Sequence, residues 1–135
     1  MLWLKKCPAV VRFISYEPAL GPIHADFTGT HWVIGGGESG GGARENNVAW
    51  FLSVREQCKA AGVAYFHKQL GEKSVKANLA IPAGCEGEAF NGVPRTIRLK
   101  VTGKGGTMEE WPEALRVREF PNELVASTIA GKREG

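Results

Sequence analysis

The sequence predicts an α/β protein with parallel strands and a ligand site at their carboxyl ends. Short apolar runs at 10–15 and 31–34 are typical of buried strands. The glycine-rich stretch 35–42 directly follows the second run and precedes an amphipathic helical pattern. A third apolar run, 63–67, comes one glycine after that pattern. Strand, glycine turn, helix, glycine, strand is a βαβ unit, which places two parallel strands side by side.

The first strand, Val10–Ser15, ends before Pro18, because proline donates no ladder hydrogen bond and restricts Glu17 before it. We expect this strand to join the same sheet. Its connection over 16–30 is short for a full helical crossover, which leaves its pairing partner open.

The helix begins at Asn46 or Asn47, since asparagine is a good N-cap, and Gly62 suits its C-terminal cap. At 100° per residue the pattern predicts one buried stripe, with Arg55 and Glu56 among the residues on the opposite side. The predicted stripe comprises Trp50, Phe51, Val54, Cys58 and Ala61.

Composition indicates one globular domain. The 135 residues are 43% hydrophobic and 23% charged, values that exclude a disordered chain. The net charge of +3 is spread thinly, which argues against a nucleic-acid partner. Cys7, Cys58 and Cys85 lie too far apart for a disulfide framework or a short-spaced metal site. With neither a leader pattern nor an apolar span, we expect a cytoplasmic protein without a metal site or a membrane partner.

Three parts are predicted along the chain: a βαβ core over 1–71, an irregular and β-containing extension over 72–121, and a tail over 122–135. The extension has its own signals, which are a hairpin turn at Asn91-Gly92, a half-exposed strand over 96–101, a helical turn opened by 111–113 and an alternating run over 115–118.

Polar side chains follow all three core strands, where parallel sheets collect their ligands. We take Glu17, Glu38 and Lys68 as candidate catalytic residues. The candidate cofactor-binding residues are Gly35, Gly36, Gly37, Glu38, Ser39 and Gln69. Glu38 fits either a ligand contact or a solvated turn, and Glu17 fits either a ligand contact or a strand-end cap. His67 is either a histidine packed at the end of its strand or a catalytic residue.

The glycines have competing interpretations. Gly35-x-Gly37-x-x-Gly40 matches the dinucleotide fingerprint, but the strand that follows ends at Lys68 and Gln69 without the required acidic residue. The Walker pattern also fails, because no Gly-Lys-Ser or Gly-Lys-Thr follows. Two interpretations of these glycines remain open. They let a ligand approach the loop backbone closely, or they only let the loop pack tightly against the protein.

Four strings together resemble one family: those over 11–22, 32–40, 66–71 and 111–121. They are similar to the phage-associated gp-thirty-seven/gp-sixty-eight family, whose members resemble radical S-adenosylmethionine (SAM) enzymes. The resemblance implies a barrel-like α/β fold and an iron–sulfur cluster held by three cysteines near the N-terminus of the full-length family. Those cysteines are absent here, and a full barrel needs at least about 200 residues.

The resemblance therefore covers the C-terminal half of the family and implies a partial, half TIM-like barrel followed by a small β-containing extension. In that barrel, Glu17 and 35–39 line the SAM or substrate side, with Lys68 and Gln69 adjacent. SAM and the iron–sulfur cluster are implied only for the full-length family.

Three hypotheses follow. The chain is part of a radical-SAM-like protein, inactive without an N-terminal half or cognate subunit. Alternatively it is a small α/β domain that binds a nucleotide or phosphorylated ligand at 35–42, or a non-enzymatic phage remnant. Unpaired sheet edges predict self-association of the isolated chain.

Overall fold

A computed structural model describes residues 2–77 and 96–122. Its elements are α1 (Leu2–Lys5), β1 (Phe13–Tyr16), β2 (Trp32–Gly36), β3 (Asn46–Asn47), α2 (Val48–Ala61), β4 (Ala64–Gln69), β5 (Ser74–Ala77), β6 (Thr96–Arg98) and two 3₁₀ turns (Met108–Glu110 and Glu113–Leu115).

The larger sheet has three parallel strands in the order β1-β2-β4. This confirms the βαβ unit and places the first strand in the same sheet. Strand β2 runs through Gly36, beyond its predicted end at residue 34, because Gly35 and Gly36 pair with His67 and Gln69 of β4. Within residues 2–77 and 96–122 the fold is mixed α/β, with small sheets and no closed barrel.

Helix α2 has the predicted caps. The Asn47 side chain accepts a 2.9 Å hydrogen bond from the Ala49 amide, and Gly62 takes the left-handed conformation with φ of 67°. The buried helix residues are Val48, Phe51, Val54 and Cys58. Ala61 was wrongly placed on the buried stripe: it is exposed as the last residue of α2, where Gly62 turns the chain away from the helix, and Trp50 is only half-buried.

The two faces of the larger sheet differ. Helix α2 covers the face that carries Val33, Tyr65 and His67, and Trp111 and Leu115 complete that core. The other face, called the open face here, carries Phe13, Ser15, Trp32, Ile34, Phe66 and Lys68 by strand alternation and register. Phe13, Ser15 and Lys68 on the open face are exposed, whereas Trp32, Ile34 and Phe66 are half-buried, with Phe120 packed against Trp32 and Phe66.

The outer edge of β4 is covered by residues 117–120, called the strap. The His67 amide donates to the Val117 carbonyl (2.9 Å), and the Glu119 amide donates to the Tyr65 carbonyl (3.0 Å). The alternating run predicted over 115–118 is therefore a single antiparallel bridge between Arg118 and Phe66 rather than a full strand.

The smaller sheet has the order β3-β5-β6, with one parallel and one antiparallel pair. The half-exposed strand predicted over 96–101 is confirmed only over Thr96–Arg98. Strand β5 was missed, because its residues follow Gly71 in a polar stretch that reads as loop. The helical turn that 111–113 were expected to open is the 3₁₀ turn Glu113–Leu115, with Pro112 as its N-cap. The hairpin signal Asn91-Gly92 lies outside the described residues.

The division into core, extension and tail stays a prediction, although Trp111 of the extension is buried in the same core as Val33. Over the described ranges 2–77 and 96–122, none of the helices has the length and apolar character of a membrane span.

Candidate functional site

The carboxyl ends of β1, β2 and β4 meet at one edge of the larger sheet, where Glu17, Gly36 and Lys68 come together. The Lys68 ammonium nitrogen lies 3.3 Å from both carboxylate oxygens of Glu17. Ser15 donates from its hydroxyl to Glu17 Oε2 at 3.4 Å. The Glu17 carboxylate lies against Gly36, where any Cβ atom would overlap it. Parallel pairing thus gathers predicted site residues from three separate strings of the sequence.

The Glu17–Lys68 pair joins opposite charges while leaving one of them accessible. The Lys68 side chain is 53% exposed, whereas the Glu17 side chain is 20% exposed. At 3.3 Å the contact is longer than the 2.7–2.9 Å typical of a tight charge-assisted hydrogen bond. The arrangement presents the Lys68 ammonium to a ligand that approaches along the open face, with the less exposed Glu17 carboxylate beside it.

The first three glycines of the glycine-rich stretch are packed against protein. A Cβ on Gly35 would lie 2.6 Å from the Tyr65 hydroxyl, and a Cβ on Gly37 would overlap the Leu70 carbonyl. The Gly37 amide donates to the Gln69 carbonyl (3.0 Å), and the Gln69 side-chain amide donates back to the Gly37 carbonyl (2.9 Å). The backbone of Gly37 and the side chain of Gln69 are therefore already paired with each other.

Glu38 closes the glycine-rich loop by binding Arg44. Its carboxylate accepts from Arg44 Nε and Nη2, both at 2.8 Å, and from the Arg44 backbone amide at 2.9 Å. These hydrogen bonds lower the pKa of Glu38 to about 2. Ser39 and Gly40 lie exposed at the loop tip, where Gly40 has φ of 100°. The geometry favours the turn interpretation of Glu38 over a ligand contact.

A buried polar network that sequence reasoning missed anchors this loop. Asn46 is 1% exposed and donates from Nδ2 to the Leu70 carbonyl at 2.9 Å. The Ser74 hydroxyl lies 2.9 Å from Asn46 Oδ1 and 2.6 Å from the same carbonyl. Asn46 was interpreted as a possible helix cap, and its partners lie too far along the chain for any local pattern to reveal them.

A sequence model of the DUF5131 family, described as a protein of unknown function, matches residues 1–113. The chain belongs to the DUF5131 family. No curated protein and no solved structure matches it. The family description assigns no activity, so the function of this DUF5131 chain has to be argued from its geometry.

His67 of this DUF5131 chain is a core residue. Its ring is fully buried between Phe51 (4.9 Å between centroids) and Trp111 (4.7 Å), and Nδ1 lies 3.2 Å from the Tyr65 hydroxyl. Burial, with a smaller contribution from Arg118, lowers the pKa of His67 to about 3. Nε2 has no hydrogen-bond partner among the described residues. The packed interpretation is the one that this geometry favours.

The residues that the structure describes do not fit an iron–sulfur cluster. Such a cluster needs several cysteine thiolates. Cys7 is exposed, whereas Cys58 is buried on α2, where burial raises its thiol pKa to about 12. Over 2–77 and 96–122, no three His, Cys, Asp or Glu side chains are grouped to hold a metal ion. Cys85 lies outside those ranges. No step of a reaction is therefore assigned to a cluster held by this chain.

Proposed function

We propose that this DUF5131 chain forms one wall of a SAM or substrate pocket in a radical-SAM-like protein of the phage-associated type. It is inactive alone. The Glu17–Lys68 pair at the carboxyl edge of the parallel sheet carries the proposal. The pair fits the amino-acid end of SAM, in which a positive ammonium and a negative carboxylate share one carbon. Glu17 receives the ammonium and Lys68 the carboxylate, so the two charges exchange their mutual contact for contacts to the ligand.

The two faces of the sheet resemble those of a barrel wall, although the strap occupies the outer edge of β4, where a barrel would add its next strand. In a (β/α)₈ barrel, helices cover the outer face of the sheet, and bulky side chains on the inner face fill the interior. Helix α2 covers one face here, whereas Trp32, Ile34 and Phe66 stand on the open face. The Glu17–Lys68 pair then lies at the mouth of the barrel, where the active sites of such folds are built.

The cysteines of the described residues support the proposal that the isolated chain is inactive. Bound SAM supplies a sulfonium whose reductive cleavage needs an electron, and the described residues do not fit the cluster that would deliver it. A partner polypeptide with three closely spaced cysteines completes the protein.

The Glu17–Lys68 pair is a better anchor than the glycine-rich loop for a charged ligand. The amides of Gly37, Ala43 and Arg44 already donate to protein oxygens. The Glu38 carboxylate also lies in this loop, and its ion pair occupies the Arg44 guanidinium that a phosphate would otherwise bind. These three amides and the Arg44 guanidinium are therefore already bonded within the protein.

Calorimetric titration of SAM into the chain tests this site. Glu17→Gln and Lys68→Met each remove one charge, and we expect each to weaken SAM binding about tenfold or more, since a hydrogen bond to a charged group contributes about 1.5–3 kcal/mol. Glu56→Gln and Lys59→Met remove the same charges from exposed positions on α2 and serve as controls. Equal affinities in all five proteins would overturn the assignment.

Co-expression tests the dependence on a partner. The chain is tagged and expressed with the polypeptide encoded directly upstream, and the purified material is assayed for iron and sulfide. We expect a complex that contains a cluster, whereas the chain alone carries none. A chain that purifies alone, or a complex without iron, contradicts the partner proposal.

A further inference from the structure

The outer edge of β1, which faces away from β2, carries backbone groups without a partner among the described residues. The Arg12 amide donates to His31 Nδ1, and the Arg12 carbonyl accepts from the His31 amide, both at 2.9 Å, so Arg12 faces β2. Backbone direction alternates along a strand, so the amides and carbonyls of Phe13 and Ser15 face outward. Both residues are exposed, so these four groups are accessible to another strand.

The segment before β1 is held at the amino edge of the sheet. Lys5 forms a 2.8 Å ion pair with Asp26, and Arg12 donates from Nε to the Gly29 carbonyl at 2.9 Å. Both contacts tie this segment to the loop that leads into β2. The described residues before β1 therefore leave its outer edge uncovered.

The opposite edge of the larger sheet is closed. The strap takes the Tyr65 carbonyl and the His67 amide of β4, and the Glu119 carboxylate accepts the Tyr65 amide at 2.9 Å. Phe120 of the strap packs on Trp32 at 5.5 Å between ring centroids. Within the described ranges, β1 therefore has the edge of this sheet that can accept another strand.

The sheet advances in one direction from β1 to β4. Helix α2 connects β2 to β4 across one face. The connection from β1 to β2 crosses the same face, because its Ala19 and Phe27 are buried in the core beneath α2 and its Ile23 carbonyl accepts from Gln57 of α2 at 2.9 Å. Since crossovers between parallel strands keep one hand, the strands lie side by side in chain order. A strand that precedes β1 through a connection on this face has to lie beyond its outer edge.

We propose that the outer edge of β1 binds a strand of the partner polypeptide, parallel to β1, so that the two polypeptides share one parallel sheet. This inference rests on the proposed function, which supplies the partner, and it names the edge and the direction of docking. The partner strand pairs with the outward amides and carbonyls of Phe13 and Ser15. Its side chain beside Phe13 on the open face is apolar, because the Phe13 ring is 52% exposed in this chain and becomes covered there.

Parallel docking brings the partner to the Glu17–Lys68 pair. The carboxyl ends of parallel strands meet at one edge of a sheet, so residues that follow the partner strand lie beside Glu17. A second copy of this chain that pairs β1 with β1 about a two-fold axis runs antiparallel and brings the amino end of its strand there instead. The strand Phe13–Tyr16 has none of the charges or prolines that prevent edge pairing, so it accepts the partner strand directly.

Amide hydrogen exchange tests the edge on the unmodified chain, alone and purified with the polypeptide encoded directly upstream. In the chain alone we expect fast exchange at Phe13 and Ser15 and slow exchange at Ile14, whose amide faces β2. In the complex, exchange at Phe13 and Ser15 is expected to slow about tenfold or more, whereas the strap amide of Glu119 is unchanged.

The outcomes separate this inference from the proposed function. Slow exchange at Phe13 and Ser15 in the chain alone overturns the inference, because the edge is then covered by the chain itself or, where protection grows with concentration, by a second copy. A complex in which both amides stay fast overturns the inference and leaves the partner in place. Absence of a complex overturns both, and calorimetric titration of SAM then tests the Glu17–Lys68 pair by itself.

Two substitutions of Phe13 distinguish strand pairing from side-chain contact. Phe13→Pro removes the outward amide at the first residue of β1, a position where an edge strand accepts proline, whereas Phe13→Ala keeps the amide. We expect Phe13→Pro to bind the upstream polypeptide about tenfold or more weakly than Phe13→Ala, because it loses a backbone hydrogen bond and its ring blocks the approaching strand. Thermal unfolding of both variants checks that they fold alike. Equal affinities of the two variants overturn the proposal.

Discussion

Gly37 is glycine because two other parts of the chain occupy the space beside it. A Cβ there would overlap the Leu70 carbonyl and Asn46 Nδ2, and neither the backbone carbonyl nor the buried amide can move freely. We expect Gly37→Ala to lower the free energy of unfolding by about 1–3 kcal/mol or more. Chemical denaturation at neutral pH measures it.

Gly41→Ala is the control within the same loop. A Cβ at Gly41 meets nothing within 4 Å, and its backbone lies outside the left-handed region. We expect this variant to be unchanged, or more stable by about 0.5 kcal/mol, because alanine restricts the unfolded chain. Equal losses in the two variants would show that loop flexibility rather than close packing selects these glycines.

His67 makes stability depend on pH. Its folded pKa of about 3 lies below the value near 6.5 of an exposed histidine, so between these pH values the unfolded chain binds one proton more. Stability therefore falls as pH drops from about 6.5 towards 3, by up to about 1.4 kcal/mol per pH unit from this residue.

Denaturation of wild type and His67→Gln at several pH values isolates the contribution of His67, since glutamine does not titrate. The wild type is expected to lose more stability than the variant between pH 6.5 and 4. Parallel curves would be inconsistent with a buried neutral imidazole. Should the variant not fold, NMR titration of the wild-type imidazole gives the same answer: the ring stays neutral at pH 4.

The strand-end residues could be located from sequence, whereas their individual roles could not. The βαβ rule predicted that Glu17 and Lys68 lie at the same edge of the sheet, because the carboxyl ends of parallel strands meet there. The pairing of Glu38 with Arg44 and the packing of Gly37 against Leu70 depend on how the loop folds back, which no periodicity encodes.

At the scale of elements, α2 depends on a cap that the sequence identified. The Asn47 side chain accepts from the Ala49 amide at the start of the helix. Asn47→Ala removes this acceptor, and we expect a loss of about 1 kcal/mol in thermal or chemical unfolding. Asn47→Asp keeps the acceptor and adds a favourable charge at the helix N-terminus, so it should be neutral or stabilising. Similar losses in both variants would assign the effect to another property of the side chain.

Long periodic elements were predictable and short paired ones were not. Helix α2 spans 14 residues with caps at both ends, and β2 and β4 are apolar runs, so each carries its own signal. Strands β3 and β5 have two and four residues and are defined by pairing with each other. Their formation is a tertiary event, so a polar sequence such as Ser74–Ala77 gives no local indication of it.

At the scale of the whole molecule, the larger sheet separates a structural side from a side available for function. The face under α2 holds the aromatic core, including Trp111 and Tyr65. The open face carries an apolar surface that leads to the Glu17–Lys68 pair, and β1 leaves its outer edge unpaired among the described residues. Membership of the DUF5131 family fixes no chemistry, so this asymmetry is the basis of the functional proposal.

The most direct test of the proposed pocket is an NMR map of amide shifts as SAM is titrated into the unmodified chain. The proposal predicts shifts concentrated at Ser15, Glu17, Gly36 and Lys68, at the carboxyl edge of the larger sheet. Shifts confined to 39–42 would instead assign binding to the glycine-rich loop, and no shifts at millimolar SAM would contradict a SAM pocket on this chain.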